Sequence, residues 1–270
     1  MDWWWQRHLA DNGIEALIHD QNLIVSRAQL QAAGWSASQI RRGLRSRRWQ
    51  TVHPTVYATH IGPIGYDERR LAALLYAGPE AAWSHYTAAE QLGLLKPDSS
   101  RPIYVVIPKR RRVNPQPGLV IVRDEHWLHR LATVVPPRRT AADAVLDIVG
   151  ISRTPDEAAA VIAQACQSGR VTPADILKAL TDHPRLRHRR ALLPILNDVA
   201  AGSHSLLELR HLRDVDRDNR ATLRAESTLR YGWFDIMSRP CEAAVQVLSV
   251  LRRARPTVSA KPCGPCCPVR

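Results

Sequence analysis

Residues 23–59 have the sequence "LIVSRAQLQAAGWSASQIRRGLRSRRWQTVHPTVYAT", in which two short helix-forming segments precede two strand-forming ones. Ser26 is expected to cap the first helix, and Gly34 to end it. Ser36 is expected to cap the second helix, which is rich in arginine. A short helix, a glycine turn and a basic second helix are typical of a helix-turn-helix.

The second helix carries the expected chemistry. Ala37, Ile40 and Leu44 have the i, i+3, i+7 spacing of a buried stripe. Residues 36–50 include five arginines and no acidic residue, whereas a solvated helix face usually mixes the two signs. Arginine binds phosphates and guanine edges, so the pattern predicts DNA contact; a solvated basic face is the alternative. The predicted contact residues here are Ser36, Ser38, Gln39, Arg41, Arg42, Arg45, Arg47 and Arg48.

The flanking segments complete the expected domain. Strand formers lie on both sides of His53-Pro54-Thr55, which predicts a hairpin, or wing, with His53 on the DNA backbone. Before the first helix, Ala16, Leu17, Leu23 and Ile24 lie at roughly helical spacing and predict a helix through residues 15–25. Residues 1–60 are therefore predicted to form a winged helix-turn-helix.

The charge balance favours a polyanionic partner. The 270-residue chain has a formal net charge of +13 and a pI of about 10.3, and only four of its 38 basic residues are lysine. A G+C-rich genome explains arginine over lysine but not the scarcity of acids. Double-stranded DNA is the expected partner. Since no apolar run is long enough to span a membrane and residues 1–11 lack a signal-peptide core, we expect a cytoplasmic protein without a membrane partner.

Residues 20–150 resemble the AbiEi-type antitoxins, which are the transcriptional regulators of type IV toxin–antitoxin systems. The resemblance includes the segment quoted above and continues through "RRLAALLYAGPEAAWSHYTAAEQLGL" (69–94), "PIYVVIPKRRRVNPQPGLVIVRDE" (102–125) and "PPRRTAADAVLDIV" (136–149). It implies a winged helix that represses its own promoter, a small α/β region, and a genetically linked nucleotidyltransferase toxin as a second partner. Thr55 departs from the family, which usually has glycine there, and predicts a slightly different wing.

The middle of the chain offers a second basic patch. Residues 102–108 and 118–124 are predicted to be paired strands, and the loop between them contains Lys109, Arg110, Arg111 and Arg112. This loop is predicted either to bind phosphate or to be a plain solvated loop. Upstream, Ser84 is interpreted as a helix N-cap beside His85, rather than as a nucleophile, because no partner lies nearby in sequence.

Residues 205–215, "SLLELRHLRDV", are followed directly by residues 216–253, which include "STLRYGWFDIMSRPCEAAVQVLSVLRR". The first stretch resembles the first helix, and the second the last part, of a Vsr-like, PD-(D/E)XK-type nuclease domain whose central strands are missing here. Of the metal-binding carboxylates that the resemblance implies, only Glu208 is present. Asp214, Asp216 and Asp218 are interpreted as ion-pair partners of the neighbouring arginines. A helix over 205–226, a strand over 228–233 and a helix over 235–253 are expected. Cys263, Cys266 and Cys267 form a weak zinc signal, since a structural site needs four ligands.

We therefore expect an α+β, mainly helical protein without catalytic residues, metal or cofactor. The expected segments are the winged helix-turn-helix (1–60), a small α/β region (61–150), a helical connector (151–202), a nuclease-like remnant (203–255) and a disordered tail (256–270). The predicted function is a DNA-binding, antitoxin-like transcriptional regulator. The alternatives are a metal-dependent endonuclease and an antitoxin that acts through protein contact alone.

Overall fold

The computed structural model describes residues 4–200, 240–254 and 257–260. The chain divides into two compact units, residues 1–206 and 207–270. The described part is mixed α/β, with ten α-helices that make it about half helical and with two small sheets. None of the helices in that part has the length and apolar character that a membrane span requires.

Residues 6–58 form three helices and a three-stranded antiparallel sheet. The elements are α1 (Gln6–Asp20), β1 (Ile24–Ser26), α2 (Arg27–Ala32), α3 (Ala37–Arg45), β2 (Gln50–His53) and β3 (Val56–Ala58). The strand order is β1-β3-β2. As predicted, Ser26 and Ser36 cap α2 and α3, each in a reciprocal capping box with the glutamine three residues later.

The predicted helix over residues 15–25 is wrong at its C-terminal end. Helix α1 ends at Asp20, and Asn22 and Leu23 have φ values of 50° and 63°. The chain then forms β1, in which Ile24 and Val25 pair with Ala58 and Tyr57. Two β-branched residues gain more from this pairing and from full burial than from another helical turn.

The turn between β2 and β3 contains a strained residue. Thr55 has a φ of 68°, in the left-handed region that a β-branched residue rarely adopts. Its carbonyl oxygen accepts a 2.8 Å hydrogen bond from the backbone N–H of Arg27, the first residue of α2. The hairpin turn is thus joined directly to the start of α2.

A second sheet follows in the same unit. Helix α4 (Tyr66–Ala77) leads to β4 (Ala82–Trp83), α5 (His85–Gln91), β5 (Ile103–Pro108) and β6 (Leu119–Asp124). The sheet order is β4-β5-β6, with β4 antiparallel and β6 parallel to β5. The predicted pairing of residues 102–108 with 118–124 is confirmed, and its parallel direction makes the basic loop a crossover connection.

Helix α6 (Ala141–Ile151) comes next, and the segment predicted to be a helical connector, residues 151–202, forms α7 (Pro155–Gln167), α8 (Pro173–Leu180) and α9 (Arg189–Ala200). They are more than a connector, because Ile162, Ile176 and Leu196 belong to the same hydrophobic core as Ile24 and Ile107. In the second unit, α10 (Pro240–Ala254) overlaps the helix expected over 235–253 from residue 240 onward. The helix expected over 205–226, the strand expected over 228–233 and Cys263, Cys266 and Cys267 lie outside the described residues.

Arg139 is the centre of a buried ionic cluster beneath the second sheet. Only 1% of the side chain is exposed, and it donates to Asp124 Oδ2 at 2.5 Å, to Asp147 Oδ2 at 3.0 Å and to the Trp127 carbonyl at 3.3 Å. Burial alone would raise the pKa of Asp124. The hydrogen bonds from Arg139 and from the His126 backbone, together with nearby positive charge, outweigh burial and lower that pKa below its ordinary value.

We expect Arg139→Met to destabilise the protein by about 3–5 kcal/mol, because the largely buried Asp147 loses its arginine and Asp124 is left with Arg130 alone. Arg138→Met, at the half-buried neighbouring position, is the control and should cost less than half as much. Urea unfolding at pH 7 measures both. Because the folded-state pKa of Asp124 is depressed, its contribution is present above pH about 4 and is lost as the pH falls further. Equal losses for the two variants would contradict this role for Arg139.

Thr55→Gly should raise the free energy of unfolding by about 1 kcal/mol, because glycine adopts the left-handed conformation without steric strain. Thr51→Gly, on the exposed face of β2, is the control and should lower stability by about 0.5–1 kcal/mol. Thermal unfolding followed by circular dichroism compares the two. A loss of stability in both variants would show that the Thr55 conformation carries no strain.

Candidate nucleic-acid interface

Helix α3 begins at a rigid N-terminus. The Ser36 hydroxyl accepts from the Gln39 backbone N–H at 3.3 Å, and Gln39 Oε1 accepts from the Ser36 backbone N–H at 2.8 Å. Gln39 Oε1 also lies 2.8 Å from Ser36 Oγ, which in turn lies 2.9 Å from Ser38 Oγ. Ser36 and Gln39, both predicted DNA contacts, therefore have a first role in fixing where the helix starts.

The inner face of α3 packs on an aromatic cluster. Ile40 is 1% exposed and joins Val25, Leu30 and Tyr57 in a small core. The Trp35 and Trp49 rings, one on each side of the helix in sequence, stack with centroids 5.4 Å apart, and Trp49 lies 6.5 Å from Tyr57. These contacts hold the helix against the hairpin. Of the predicted buried stripe, Ile40 is buried and Leu44 half-buried, whereas Ala37 is exposed.

Gly43 permits this packing. A Cβ at position 43 would lie 2.9 Å from Cδ2 of the Trp49 ring, which is closer than carbon atoms pack. The indole therefore lies directly on the helix backbone. The sequence analysis does not predict this requirement for glycine. Two tryptophans that flank a helix with a single glycine are nevertheless a pattern that indicates close packing of a ring on that helix.

The outer face of α3 is cationic and open. Ser38, Arg41, Arg42, Arg45 and Ser46 are exposed and line a concavity of about 610 Å³. Within residues 4–200, no carboxylate is within ion-pair distance of Arg41, Arg42 or Arg45. Three guanidinium groups therefore face solvent with their hydrogen-bond donors available to an anion.

The other residues of this domain that are predicted to contact DNA lie beside the exposed face of α3. Arg47 is exposed, with a φ of 52°, and Arg48 Nε donates to Ser46 Oγ at 3.3 Å. His53 is half-buried, and its ring lies 5.2 Å from that of Tyr76 in α4. Burial lowers the pKa of His53, which favours the neutral imidazole. The structure thus places His53 between the hairpin and α4, and leaves Pro54 and Thr55 exposed at the turn.

Three of the four basic side chains in the loop between β5 and β6 bind other groups of the protein. Lys109 pairs with Glu125 at 2.9 Å, and Arg110 binds both oxygens of Glu80 at 2.5 and 2.6 Å. Arg111 donates to the Ala77 carbonyl at 2.7 Å and to the Pro79 carbonyl, which places it over the C-terminal end of α4. Arg112 is exposed and has no ion-pair partner among the described residues. The loop is therefore neither a free four-charge patch nor a plain solvated loop.

The structure brings a carboxylate to His85 that sequence proximity did not suggest. Asp147 Oδ2 lies 3.7 Å from His85 Nδ1, and the Ser84 hydroxyl lies 3.1 Å from the same nitrogen. A nucleophile and an orienting acid must use opposite ring nitrogens for proton relay. Burial lowers the pKa of His85, whose ring stacks on Tyr104. The group packs the second sheet and does not have the geometry of a catalytic triad.

Within the described ranges, no group of three His, Cys, Asp or Glu side chains is placed to hold a metal ion. Glu208, on which the endonuclease alternative depends, lies outside those ranges, as do Asp214, Asp216 and Asp218, which are interpreted as ion-pair partners.

The comparisons with known proteins give little similarity. No protein-family model matches the chain, and no curated protein is significantly similar in sequence. Among solved structures, the RV2827C protein from Mycobacterium tuberculosis is similar to this chain with 15% sequence identity and a TM-score of 0.36. The match covers 64% of this chain and 71% of that one. A likeness of this size supports no inference about function.

Gly43→Ala should destabilise the protein by about 1–3 kcal/mol, since the added methyl overlaps the Trp49 ring. Gly150→Ala, within α6, is the matched control: its Cβ would meet only Leu186 Cδ1, at 3.4 Å. The control should be neutral or stabilising by up to about 1 kcal/mol, as expected for glycine-to-alanine changes in helices. Denaturant unfolding monitored by tryptophan fluorescence distinguishes them. A stabilised Gly43→Ala variant would contradict the tight contact between Trp49 and α3.

Proposed function

We propose that residues 6–58 form a winged helix and that the chain is a DNA-binding transcriptional regulator. The observation that carries the proposal is the outer face of α3, where Arg41, Arg42 and Arg45 face solvent without a carboxylate partner in the described part of the chain. A helix fits the major groove, and arginine in the groove binds phosphates or the O6 and N7 atoms of guanine.

The order of the elements supports this proposal. Helix, strand, helix, helix, strand and strand follow one another, and the sheet has the order β1-β3-β2. In helix-turn-helix proteins the second helix of the motif enters the groove. Here α3 occupies that place and carries the arginines. The turn at Pro54 and Thr55 is then the tip of the wing.

The resemblance to AbiEi-type antitoxins extends the proposal. It suggests that the bound DNA is the promoter of the chain's own operon, that binding represses it in the cytoplasm, and that a nucleotidyltransferase toxin is encoded beside it. The net charge of +13 is consistent with a DNA-bound protein, because neutralised phosphates release counterions.

Arg41→Ala combined with Arg45→Ala should reduce affinity for a duplex from the chain's own upstream region by at least about tenfold at 150 mM salt. The slope of log K against log salt should become shallower by about 1.8, which is 0.9 for each lost phosphate contact. Arg110→Ala is the control, because that side chain is already held by Glu80. Fluorescence anisotropy over a salt series measures both quantities.

Equal affinities for the double variant and for Arg110→Ala would contradict the assignment of α3. The same duplex incubated with magnesium tests the endonuclease alternative: cleavage that is lost in Glu208→Gln would support it. Binding without cleavage supports the regulator.

A further inference from the structure

A cleft lies between the hairpin turn at Thr55 and the basic loop that connects β5 to β6. It has a volume of about 370 Å³ and is lined by three parts of the chain: the start of α2 at Ser26 and Ala28, the turn at Thr55, and the end of α4 with the loop at Arg111 and Arg112. Residues far apart in sequence thus meet beside the hairpin turn. No carboxylate belongs to the lining.

The cleft has two guanidinium groups in its wall. Arg111 donates hydrogen bonds to the backbone carbonyls of Ala77 and Pro79, which are neutral acceptors. Glu80, which lies between α4 and β4, has both carboxylate oxygens bound by Arg110. Arg112 is exposed and makes no ion pair within residues 4–200. Positive charge in the cleft is therefore not neutralised by the groups that line it.

The cleft is also fixed relative to α3. The hydrogen bond from the Arg27 N–H to the Thr55 carbonyl holds the turn against α2, and α2 is followed directly by α3. The ring of Tyr76, in the same wall, lies 5.2 Å from the ring of His53 in β2, and the Tyr76 hydroxyl donates to the Asn114 carbonyl at 3.0 Å. Non-covalent contacts thus connect the hairpin, α4 and the loop around the cleft.

We propose that this cleft is a phosphate-binding site and that, in the DNA complex, it holds a backbone phosphate through Arg112. Phosphate matches the two guanidinium groups and the Thr55 hydroxyl by charge and by hydrogen-bond donors. The assignment of that phosphate to DNA rests on the proposed function, whereas the affinity of the cleft for phosphate does not. The site extends the contact surface from α3 to the far side of the hairpin turn.

The first test uses inorganic phosphate alone. At matched ionic strength, exchanging sodium chloride for sodium phosphate should raise the Tm of the wild type, because a ligand that binds only the folded state stabilises it. Arg112→Ala should lose at least half of that shift, whereas Arg123→Ala, at an exposed position on β6 outside the lining of the cleft, should keep it. Both variants should have near wild-type far-ultraviolet circular dichroism in chloride. An equal shift in all three proteins would overturn the phosphate site.

The second test measures DNA binding of the same three proteins over a salt series. Arg112→Ala should make the salt slope shallower by about 0.9 and weaken binding about threefold to tenfold at 150 mM salt, without changing sequence preference. An unchanged slope with a lost phosphate shift would show that the ligand is free phosphate and would overturn the DNA assignment. If the wild type itself does not bind duplex DNA, the proposed function fails, and the thermal shift still decides the phosphate site.

Discussion

The contact of the Trp49 indole with the backbone of α3 at Gly43 is the constraint on which the candidate interface depends. It joins the arginine-bearing helix to the hairpin, and through Trp35 and Tyr57 to the strands behind it. Since one face of α3 is committed to this packing and to Ile40, its arginines are left on the other face. The capping box at Ser36 fixes the start of the same helix. Orientation of the basic face is thus a consequence of apolar packing and capping, and it needs no charged partner inside the protein.

The two arginine-rich segments show that charge in a sequence and charge at a surface are different quantities. Residues 109–112 have four consecutive cations, but Lys109 and Arg110 pair with Glu125 and Glu80, and Arg111 binds backbone carbonyls. In α3, Arg41, Arg42 and Arg45 have no such partners within the described residues. The difference is that Glu80 and Glu125 lie beside the loop, whereas within residues 4–200 no carboxylate forms an ion pair with these three arginines of α3. It makes α3 the better candidate for a nucleic-acid contact.

Sequence reasoning predicted the local features well. The caps at Ser26 and Ser36, the two strands at 103–108 and 119–124, and the helical segment that forms α7 to α9 follow from patterns that involve neighbours in sequence. The predictions from sequence failed where contacts with a residue distant in sequence determine the local structure. Ile24 and Val25 form a strand because Tyr57 and Ala58 pair with them, and Arg111 is occupied because α4 ends beside it. At the candidate site, the arginines of α3 could be named from the sequence, whereas the aromatic support and the cleft at Arg112 could not.

Arginine footprinting tests the central claim most directly. The chain with and without a saturating duplex is treated with phenylglyoxal, and the modification of each arginine is quantified by mass spectrometry. We predict that DNA protects Arg41, Arg42 and Arg45 strongly, while Arg123, which is exposed on β6 away from α3 in sequence, reacts equally in both samples. Equal reactivity of the three α3 arginines with and without bound DNA would contradict the account.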